Sequence, residues 1–293
     1  MSVPTTRVHA LLHVPPVPFT PAEMRVAQVL LEEYPIAGLG TVASLAKRAG
    51  VSDPTVVRLI VKLGYEGFPA FQRALLGEVE DRLRSPLMMM EARDEAQNAP
   101  GGYLASVEAA LAETRRRDLA ENHARAATMI LDRKARVALH GGRFSRHLAG
   151  ILHTHLVQFR PGVRHLNGTH AEMVDALVDL AVPDVLIVFD YRRYQADVVD
   201  FAEQAAGRGV RIILFTDTWR SPVARHAEVV FTAPVEAASP YDTMVPALAQ
   251  VETLLACLVE QRDEGVRRRV REIEAVRARN RVTNSGGEEK REG

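Results

Sequence analysis

The chain has 293 residues, a length that suggests two domains or one large one. Apolar residues make up 47% of it and charged residues 25%, the composition of an ordinary globular protein. Basic and acidic residues balance at 37 each, which excludes attachment to polyanions by bulk charge but not a local basic face. One cysteine, Cys257, excludes a disulfide framework and a multi-cysteine metal site.

The N-terminal part predicts an extended lead-in followed by a small helical domain. Residues 1–18 are rich in proline and lack the basic start and long apolar core of a signal peptide. No run in the chain is long and apolar enough to span a bilayer, so we expect no membrane partner and a cytoplasmic location. Residues 19–84 predict short helices separated by Gly and Pro, and residues 85–102 predict a linker.

Residues 41–63 have the pattern of two short helices joined by a tight turn. Thr41 suits an N-cap, Gly50 suits a C-terminal position of positive φ, and Pro54 suits the first turn of the second helix. The apolar face of that second helix consists of Val56, Leu59, Ile60 and Leu63. Basic and hydroxyl groups are expected to point outward, which is the arrangement of a helix-turn-helix.

The second helix carries the side chains predicted to bind double-stranded operator DNA. Thr55 and Arg58 are the best candidates for operator contact, and Ser52 and Lys62 are expected on the phosphate backbone. Residues 41–73 contain five cations and two acids, a local charge of +3 within a neutral chain. The alternative interpretation is an ordinary helical hairpin whose charges are only solvated.

From residue 103 the pattern changes to strands that alternate with helices. Short, nearly continuous apolar runs predict buried strands at 136–140, 163–166, 185–190, 210–216 and 228–232. Helical segments are predicted at 145–158, 169–181, 195–208 and 242–262. This alternation predicts a doubly wound α/β fold on a parallel sheet, beside the all-α N-terminal domain. Residues 263–293 predict a basic helix and a disordered tail.

The first domain resembles the N-terminal domain of RpiR/MurR-family transcriptional regulators. The resemblance covers residues 19–84 and rests on a helix-turn-helix followed directly by a Leu-Gly-aromatic-x-Gly-Phe-x-x-Phe segment. Here that segment consists of Leu63, Gly64, Tyr65, Gly67, Phe68 and Phe71. The resemblance implies a DNA-binding regulator, and the aromatic side chains are expected in its core.

The second domain resembles a SIS domain, a sugar-isomerase-type module that binds phosphosugars on a doubly wound sheet. The fourth strand carries the pattern Thr216-Asp217 followed by Ser221-Pro222. After the first strand, Gly141 and Ser145 match a Gly-x-Gly-x-Ser pattern in which Arg143 replaces the second glycine. The resemblance implies that residues 103–262 bind an effector and form a homodimer or homotetramer.

Candidate effector contacts follow the first and third strands. A glycine turn that opens a helix is a ready anion site, and Ser145 adds a hydroxyl to it. After the third strand, Phe189, Tyr191 and Arg192 stand roughly where SIS domains carry Ser-x-Ser-Gly. The predicted effector-binding residues are Gly141, Gly142, Arg143, Ser145, Asp190, Arg192 and Arg193.

Two interpretations of the three arginines in this set are open. Their guanidinium groups either bind a carboxylate or phosphate of the effector, or they pair with Asp190, Asp197 or a neighbouring subunit and hold loops together.

The sequence leaves three functions open for the second domain. It senses a sugar phosphate or related anion, it is a sugar-phosphate isomerase-type enzyme, or it is purely structural. An isomerase needs a general base; the candidates, which have no diagnostic spacing, are His165, His170, Glu172 and Glu252. His153 and His155 are two residues apart on one predicted helix, so their side chains face different directions. This spacing does not support a metal site that both histidines share. We predict a sensing regulator with no catalytic residue, cofactor or metal.

Overall fold

A computed structural model describes residues 8–13, 15–83 and 100–282 of the chain. These residues divide into two units, of which the first ends at Pro100 and also includes Ser239–Tyr241. The second unit begins at Gly101. The predicted linker, apart from residues 100–102, and the predicted disordered tail lie outside the described residues.

The first unit is helical, as predicted. In its described part the helices are α1 (Val8–His13), α2 (Pro21–Glu32), α3 (Ile36–Leu39), α4 (Val42–Ala49), α5 (Asp53–Lys62) and α6 (Phe68–Leu83). Thr20 and Glu23 form a capping box at the start of α2, each side chain bonding the backbone N–H of the other. Phe71 and Leu75 of α6 are fully buried against the other helices, so α6 closes the core of this unit.

The lead-in contains a helix where the sequence predicts extended chain. Val8, Leu11 and Leu12 of α1 have the i, i+3, i+4 spacing of an apolar helical face and are buried in the core of the first unit. The Val8 amide donates a hydrogen bond of 2.6 Å to Glu78 Oε1. The prediction of extended chain is wrong because prolines 15, 16 and 18 follow α1 and leave its apolar face intact.

The helices α4 and α5 form the predicted helix-turn-helix. Thr41 caps α4 by accepting a hydrogen bond from the Ser44 amide, and Gly50 ends α4 with a φ of 61°. Helix α5 follows with Pro54 in its first turn, and its predicted apolar face is at most 1% exposed. Gly64 comes after α5 with a φ of 95°, a conformation that glycine adopts at little cost.

The second unit is built on a five-stranded parallel sheet, as predicted. The strands are β1 (Val137–Gly141), β2 (Val163–Leu166), β3 (Val185–Phe189), β4 (Arg211–Asp217) and β5 (Ala227–Ala233). Their order is β2-β1-β3-β4-β5. From β1 the chain adds β2 on one side and then β3, β4 and β5 on the other, so the strand order reverses between β1 and β3. Doubly wound sheets bind ligands at this point, beyond the carboxyl ends of the strands.

Helices cover both faces of this sheet. The helices of the second unit are α7 (Pro100–Arg117), α8 (Ala120–Leu131), α9 (Arg146–Phe159), α10 (His170–Asp179), α11 (Ala196–Gly207), α12 (Val245–Glu260) and α13 (Glu264–Arg279). Because side chains alternate along a strand, Leu139 packs with α8, α9 and α12, whereas its neighbour Ala138 packs with α10 and α11. The observed fold is thus a doubly wound α/β sandwich, and the predicted fold class is confirmed.

Helix α13 corresponds to the predicted basic helix. Asp263 caps it by accepting a hydrogen bond of 2.9 Å from the Val266 amide. Arg269 Nε donates to the Val157 carbonyl oxygen at 2.9 Å, which attaches α13 to α9. In the part of the chain that the structure describes, no helix combines the length and the hydropathy that a membrane span requires.

Candidate functional site

The outward face of α5 is the candidate DNA interface. Pro54, Val57, Arg58 and Val61 are exposed there, on the side opposite the buried valine and leucine residues. Arg58 donates a hydrogen bond of 3.1 Å to Thr55 Oγ1, which lies 3.0 Å from Ser52 Oγ. This network orients the guanidinium near the start of α5, where recognition helices contact base edges.

Thr55 does not point outward as predicted. Its side chain is buried, with 6% of the residue exposed. Thr55 precedes Leu59 by four residues, so it lies at the edge of the buried stripe of α5, and this spacing was a signal in the sequence. Because its hydroxyl accepts from Arg58, Thr55 is placed to position the arginine rather than to reach DNA itself.

Replacing Thr55 with valine tests this positioning role. Valine preserves the shape and burial of the side chain but removes the acceptor for Arg58. We expect a two- to tenfold loss of operator affinity, roughly the value of one hydrogen bond, with the thermal unfolding midpoint unchanged or raised. Fluorescence anisotropy with labelled operator DNA measures the loss, and unchanged affinity would contradict the positioning role.

Two of the predicted cations are already paired within the first unit. Lys62 Nζ contacts Glu23 Oε2 at 2.7 Å and the Pro18 carbonyl oxygen at 3.0 Å. Burial acts to raise the pKa of Glu23, but hydrogen bonds from Lys62 and Thr20 outweigh it and lower that pKa. Arg48 pairs with Glu33. The local charge of +3 over residues 41–73 counts neither glutamate, and with both included it falls to +1.

A second candidate site is a cleft of about 420 Å³ at the carboxyl ends of β1 and β2. Its walls come from the turn after β1, the end of β2, and helices α10 and α11. Apolar side chains that line it are Leu166, Met173, Val174, Leu177 and Phe201. Polar side chains that line it are His140, Arg143, Arg146, Asn167, Gln195, Asp197, Asp200 and Gln204. Such a lining suits a small polar molecule with one apolar side.

Two exposed arginines stand at the β1 side of the cleft. Arg143 lies over the Phe144 ring, 4.7 Å from its centroid, and Arg146 is the first residue of α9. Among the described residues, neither guanidinium forms an ion pair, whereas Arg136, Arg164, Arg192 and Arg225 of the same unit each pair with a carboxylate. A cation in the first turn of a helix opposes the helix dipole, so Arg146 does not stabilise α9 by charge.

The predicted glycine turn borders the cleft and is tightly packed. A Cβ on Gly141 would lie 2.8 Å from the Arg146 amide nitrogen, and one on Gly142 would lie 2.5 Å from Gln195 Oε1. Glycine therefore lets the turn approach the start of α9 closely. The Arg143 amide donates a hydrogen bond to the same Gln195 oxygen, which joins the turn to the residue before α11.

His140 gives the cleft a neutral imidazole. Burial lowers the pKa of His140, so the ring is uncharged at neutral pH. Its Nδ1 lies 3.1 Å from the Leu166 carbonyl oxygen, which can only accept. Nδ1 therefore carries the proton and Nε2 is the acceptor of the ring.

Ser145 lies behind the turn and does not line the cleft. Its Oγ donates to the Phe189 carbonyl oxygen at 2.6 Å and accepts from the Gly142 amide at 2.9 Å. The residue is 5% exposed. Its hydroxyl therefore ties the turn to the end of β3, a structural task that differs from the predicted contact with an anion.

The arginines after β3 do not line the cleft either. Both carboxylate oxygens of Asp242 accept from Arg192 Nε, at 3.0 and 2.9 Å, and Glu236 lies 3.7 Å from the same guanidinium. The guanidinium also stacks on Trp219, 4.8 Å from the ring centroid. For Arg192 this favours the structural interpretation, although the partners differ from the predicted Asp190 and Asp197. Arg193 is exposed and has partners of its own.

Asp217 at the end of β4 organises the same loop. Its carboxylate accepts hydrogen bonds from the Arg192 amide at 2.5 Å, the Tyr194 hydroxyl at 2.8 Å and the Trp219 amide at 2.8 Å. Burial raises the pKa of Asp217. The Thr-Asp pattern of the fourth strand therefore has a structural task here.

Asp190 is a buried acid rather than a cleft residue. It is 1% exposed, and its Oδ2 accepts a hydrogen bond of 2.5 Å from Ser221 Oγ. Burial raises the pKa of Asp190 to about 7, against the lowering effect of the Ser221 hydrogen bond. The prediction that Asp190 contacts an effector is wrong, because protein encloses its carboxyl group and Ser221 donates a hydrogen bond to it.

The candidate general bases are dispersed. Glu172 accepts from the Thr169 amide at 2.6 Å and caps α10, and Glu252 is exposed on α12. His165 lies 5.8 Å from His153 between ring centroids, outside the cleft, and the side chain of His170 lies outside the described residues. In the described ranges, no three His, Cys, Asp or Glu side chains are grouped so as to hold a metal ion.

These features define a protein that joins a helix-turn-helix unit to a doubly wound unit with a cleft at the carboxyl ends of its strands. Residues 10–82 match the helix-turn-helix domain of the rpiR family, and residues 129–257 match the SIS domain. The chain belongs to the RpiR family of DNA-binding transcriptional regulators.

Individual relatives agree with this assignment. The HTH-type transcriptional regulator HexR of Escherichia coli K12 is 24% identical over 234 residues, 80% of each chain. The sugar isomerase domain of an RpiR transcription factor from Sphaerobacter thermophilus is 25% identical, with a TM-score of 0.56 over 61% of this chain and 99% of that one. The Vibrio vulnificus NanR protein complexed with ManNAc-6P is 19% identical, with a TM-score of 0.54 over 93% and 98%.

Proposed function

We propose that this regulator senses a small anionic sugar derivative, most simply a sugar phosphate, in the cleft at the ends of β1 and β2. Bound ligand changes the affinity of the protein for operator DNA. The observation that carries the proposal is the pair of exposed guanidiniums, Arg143 and Arg146, beside a glycine turn at the N-terminus of α9.

Other polar groups of the cleft suit the hydroxyls of a sugar. Asp197, Asp200 and Gln204 of α11 also line the cleft, and carboxylates and amides hydrogen-bond hydroxyl groups. The likeness of this fold to NanR, which is complexed with ManNAc-6P, favours a phosphorylated sugar as the ligand class. The anion would then lie at the arginines and the sugar ring along α11.

The two units have separate tasks in this proposal. Residues 19–84 bind double-stranded operator DNA in the cytoplasm, and residues 103–262 bind the effector and form a homodimer or homotetramer. A two-fold symmetric dimer would place its α5 helices on half-sites about 34–36 Å apart. The ligand acts by binding one arrangement of the dimer more tightly than another.

The helix-turn-helix unit favours sensing over isomerisation. An isomerase needs a titratable base beside the substrate carbon. Of the candidates predicted from sequence, His165, Glu172 and Glu252 do not line the cleft, whereas His140, Asp197 and Asp200 do. We assign these groups to hydrogen bonds with the ligand, because a chain with a DNA-binding unit needs only the binding of an effector. We therefore propose that the protein binds its ligand without turning it over.

A thermal-shift screen with Arg146→Ala tests the site. Sugar phosphates, free sugars and sugar acids are added in turn, since a ligand of the native state raises the unfolding midpoint. We expect a sugar phosphate to stabilise the wild-type protein and Arg146→Ala to need at least tenfold more of it, because a charge-assisted hydrogen bond is lost.

Arg164→Ala is the matched control for this screen. Arg164 is also an exposed arginine of the second unit, 57% exposed in its side chain, but it pairs with Asp179 outside the cleft. An equal ligand response in both variants would contradict the proposed site. Turnover of the stabilising sugar phosphate by the wild-type protein would instead favour the enzyme alternative.

A further inference from the structure

Helix α5 carries exposed apolar side chains beside Arg58. Val57 is 39% exposed and Val61 is 53% exposed, whereas Val56, Leu59 and Ile60 on the other side are fully buried. Val57 and Val61 are four residues apart, so they form one ridge along the outward face. The core of the first unit does not use this ridge.

In the major groove a valine has one kind of partner. Each base pair presents hydrogen-bond donors and acceptors there, and thymine alone adds an apolar group, the methyl on C5. A valine side chain has no donor or acceptor, so it distinguishes base pairs through that methyl. An arginine next to it reads a different group, the O6 and N7 atoms of guanine.

The position of Val57 fits such a contact better than that of Val61. Recognition helices contact base edges with their N-terminal residues, and Val57 lies in the first half of α5, directly before Arg58. Arg58 is oriented by its hydrogen bond to Thr55, which fixes the direction of this part of the face. Val61 lies one turn further from the N-terminus.

We propose that Val57 reads the C5 methyl group of a thymine in each operator half-site, next to the base pair that Arg58 contacts. This proposal rests on the proposed DNA-binding function of α5. Charge favours DNA over a protein partner for this ridge, because Arg58 and Lys47 are exposed on the same helix-turn-helix.

Uracil substitution isolates the methyl group. The operator is first selected from random duplex DNA with the full-length protein, and each thymine is then replaced singly by deoxyuridine, which removes only the methyl. We expect one thymine in each half-site whose replacement weakens wild-type binding roughly fourfold, the factor for burying one methyl-sized group. For Val57→Ala the same replacement is expected to have no effect, because the contact is already absent.

Matched variants separate this contact from a general effect on the helix. Val61→Ala removes the same atoms from the same ridge, and we expect it to retain the fourfold uracil effect. Val57→Thr keeps one methyl, and we expect an intermediate effect. Thermal midpoints of all variants check the fold, and the exposure of both valines predicts little change.

Two outcomes would overturn the proposal. In the first, no thymine of the half-site is sensitive to uracil replacement. In the second, Val57→Ala keeps the sensitivity, and if Val61→Ala then loses it, the contact belongs to the other valine. If the protein selects no DNA sequence at all, the DNA-binding function of α5 fails as well, and that result differs from the first two.

Discussion

Replacing Arg58 with alanine is expected to weaken operator binding by about 1–3 kcal/mol, or roughly 5- to 150-fold, without unfolding the protein. The arginine is exposed on α5, and Thr55 holds its guanidinium in a defined direction. A bidentate arginine–guanine contact has this magnitude. Anisotropy titrations with the selected operator and with a scrambled duplex measure the loss, which should fall mainly on the operator.

Arg225→Ala provides the charge-matched control. It removes one exposed arginine, 65% exposed in its side chain, from the second unit, so it reproduces the change in net charge. We expect it to leave operator affinity within twofold of the wild-type value, because surface charge away from the interface acts only through screened fields. Equal losses for Arg58→Ala and Arg225→Ala would contradict the placement of α5 in the groove.

Local sequence signals predicted most of the fold. The turn at Gly50 requires a positive φ that glycine supplies, and the buried strands are short apolar runs flanked by helices, so neighbouring residues are enough to recognise them. The predicted strand at 163–166 matches β2, and the predicted helix at 195–208 contains α11. The glycine turn and Arg143, which the sequence predicts to contact an effector, line the cleft at the ends of β1 and β2, and their contact with a ligand stays a prediction.

Several differences from the sequence prediction concern contacts between distant parts of the chain. Arg192 meets Asp242 across 50 positions, and Lys62 meets Glu23 across 39, and spacing cannot predict either pair. The first pair gives a predicted effector contact a structural partner, and the second gives a predicted DNA-backbone contact an acidic partner within the first unit. The cleft residues Arg146 and Asp200 were missed because each is an ordinary helix-surface charge until the turn after β1 and helix α11 are brought together.

The pH dependence of stability should depend strongly on Asp190. Burial raises the pKa of Asp190 from 3.8 to about 7. Between those values the folded state holds a proton that the unfolded chain has released. The contribution of Asp190 to the free energy of unfolding is therefore greatest at low pH and is lost as pH rises towards 7. The limiting slope is about 1.4 kcal/mol per pH unit. The half-buried His140 and His165 act in the opposite sense below pH 6.5, because desolvation lowers their pKa values.

The variant Asp190→Asn separates these contributions. Asparagine cannot titrate, so the variant lacks the loss of stability that Asp190 causes as pH rises. From pH 5 to pH 8 we expect the free energy of unfolding of the variant to increase, relative to that of the wild type, by on the order of 2 kcal/mol. Trp219, the one tryptophan of the chain, lies buried in the same unit and reports its unfolding in urea. Asp175→Asn makes the same chemical change at an exposed position on α10 and serves as the control for the loss of one carboxylate. Parallel curves for Asp190→Asn and the wild type would mean that Asp190 is ionised in the folded protein at pH 5, because a carboxyl that is ionised in both the folded and the unfolded state contributes no slope in this range.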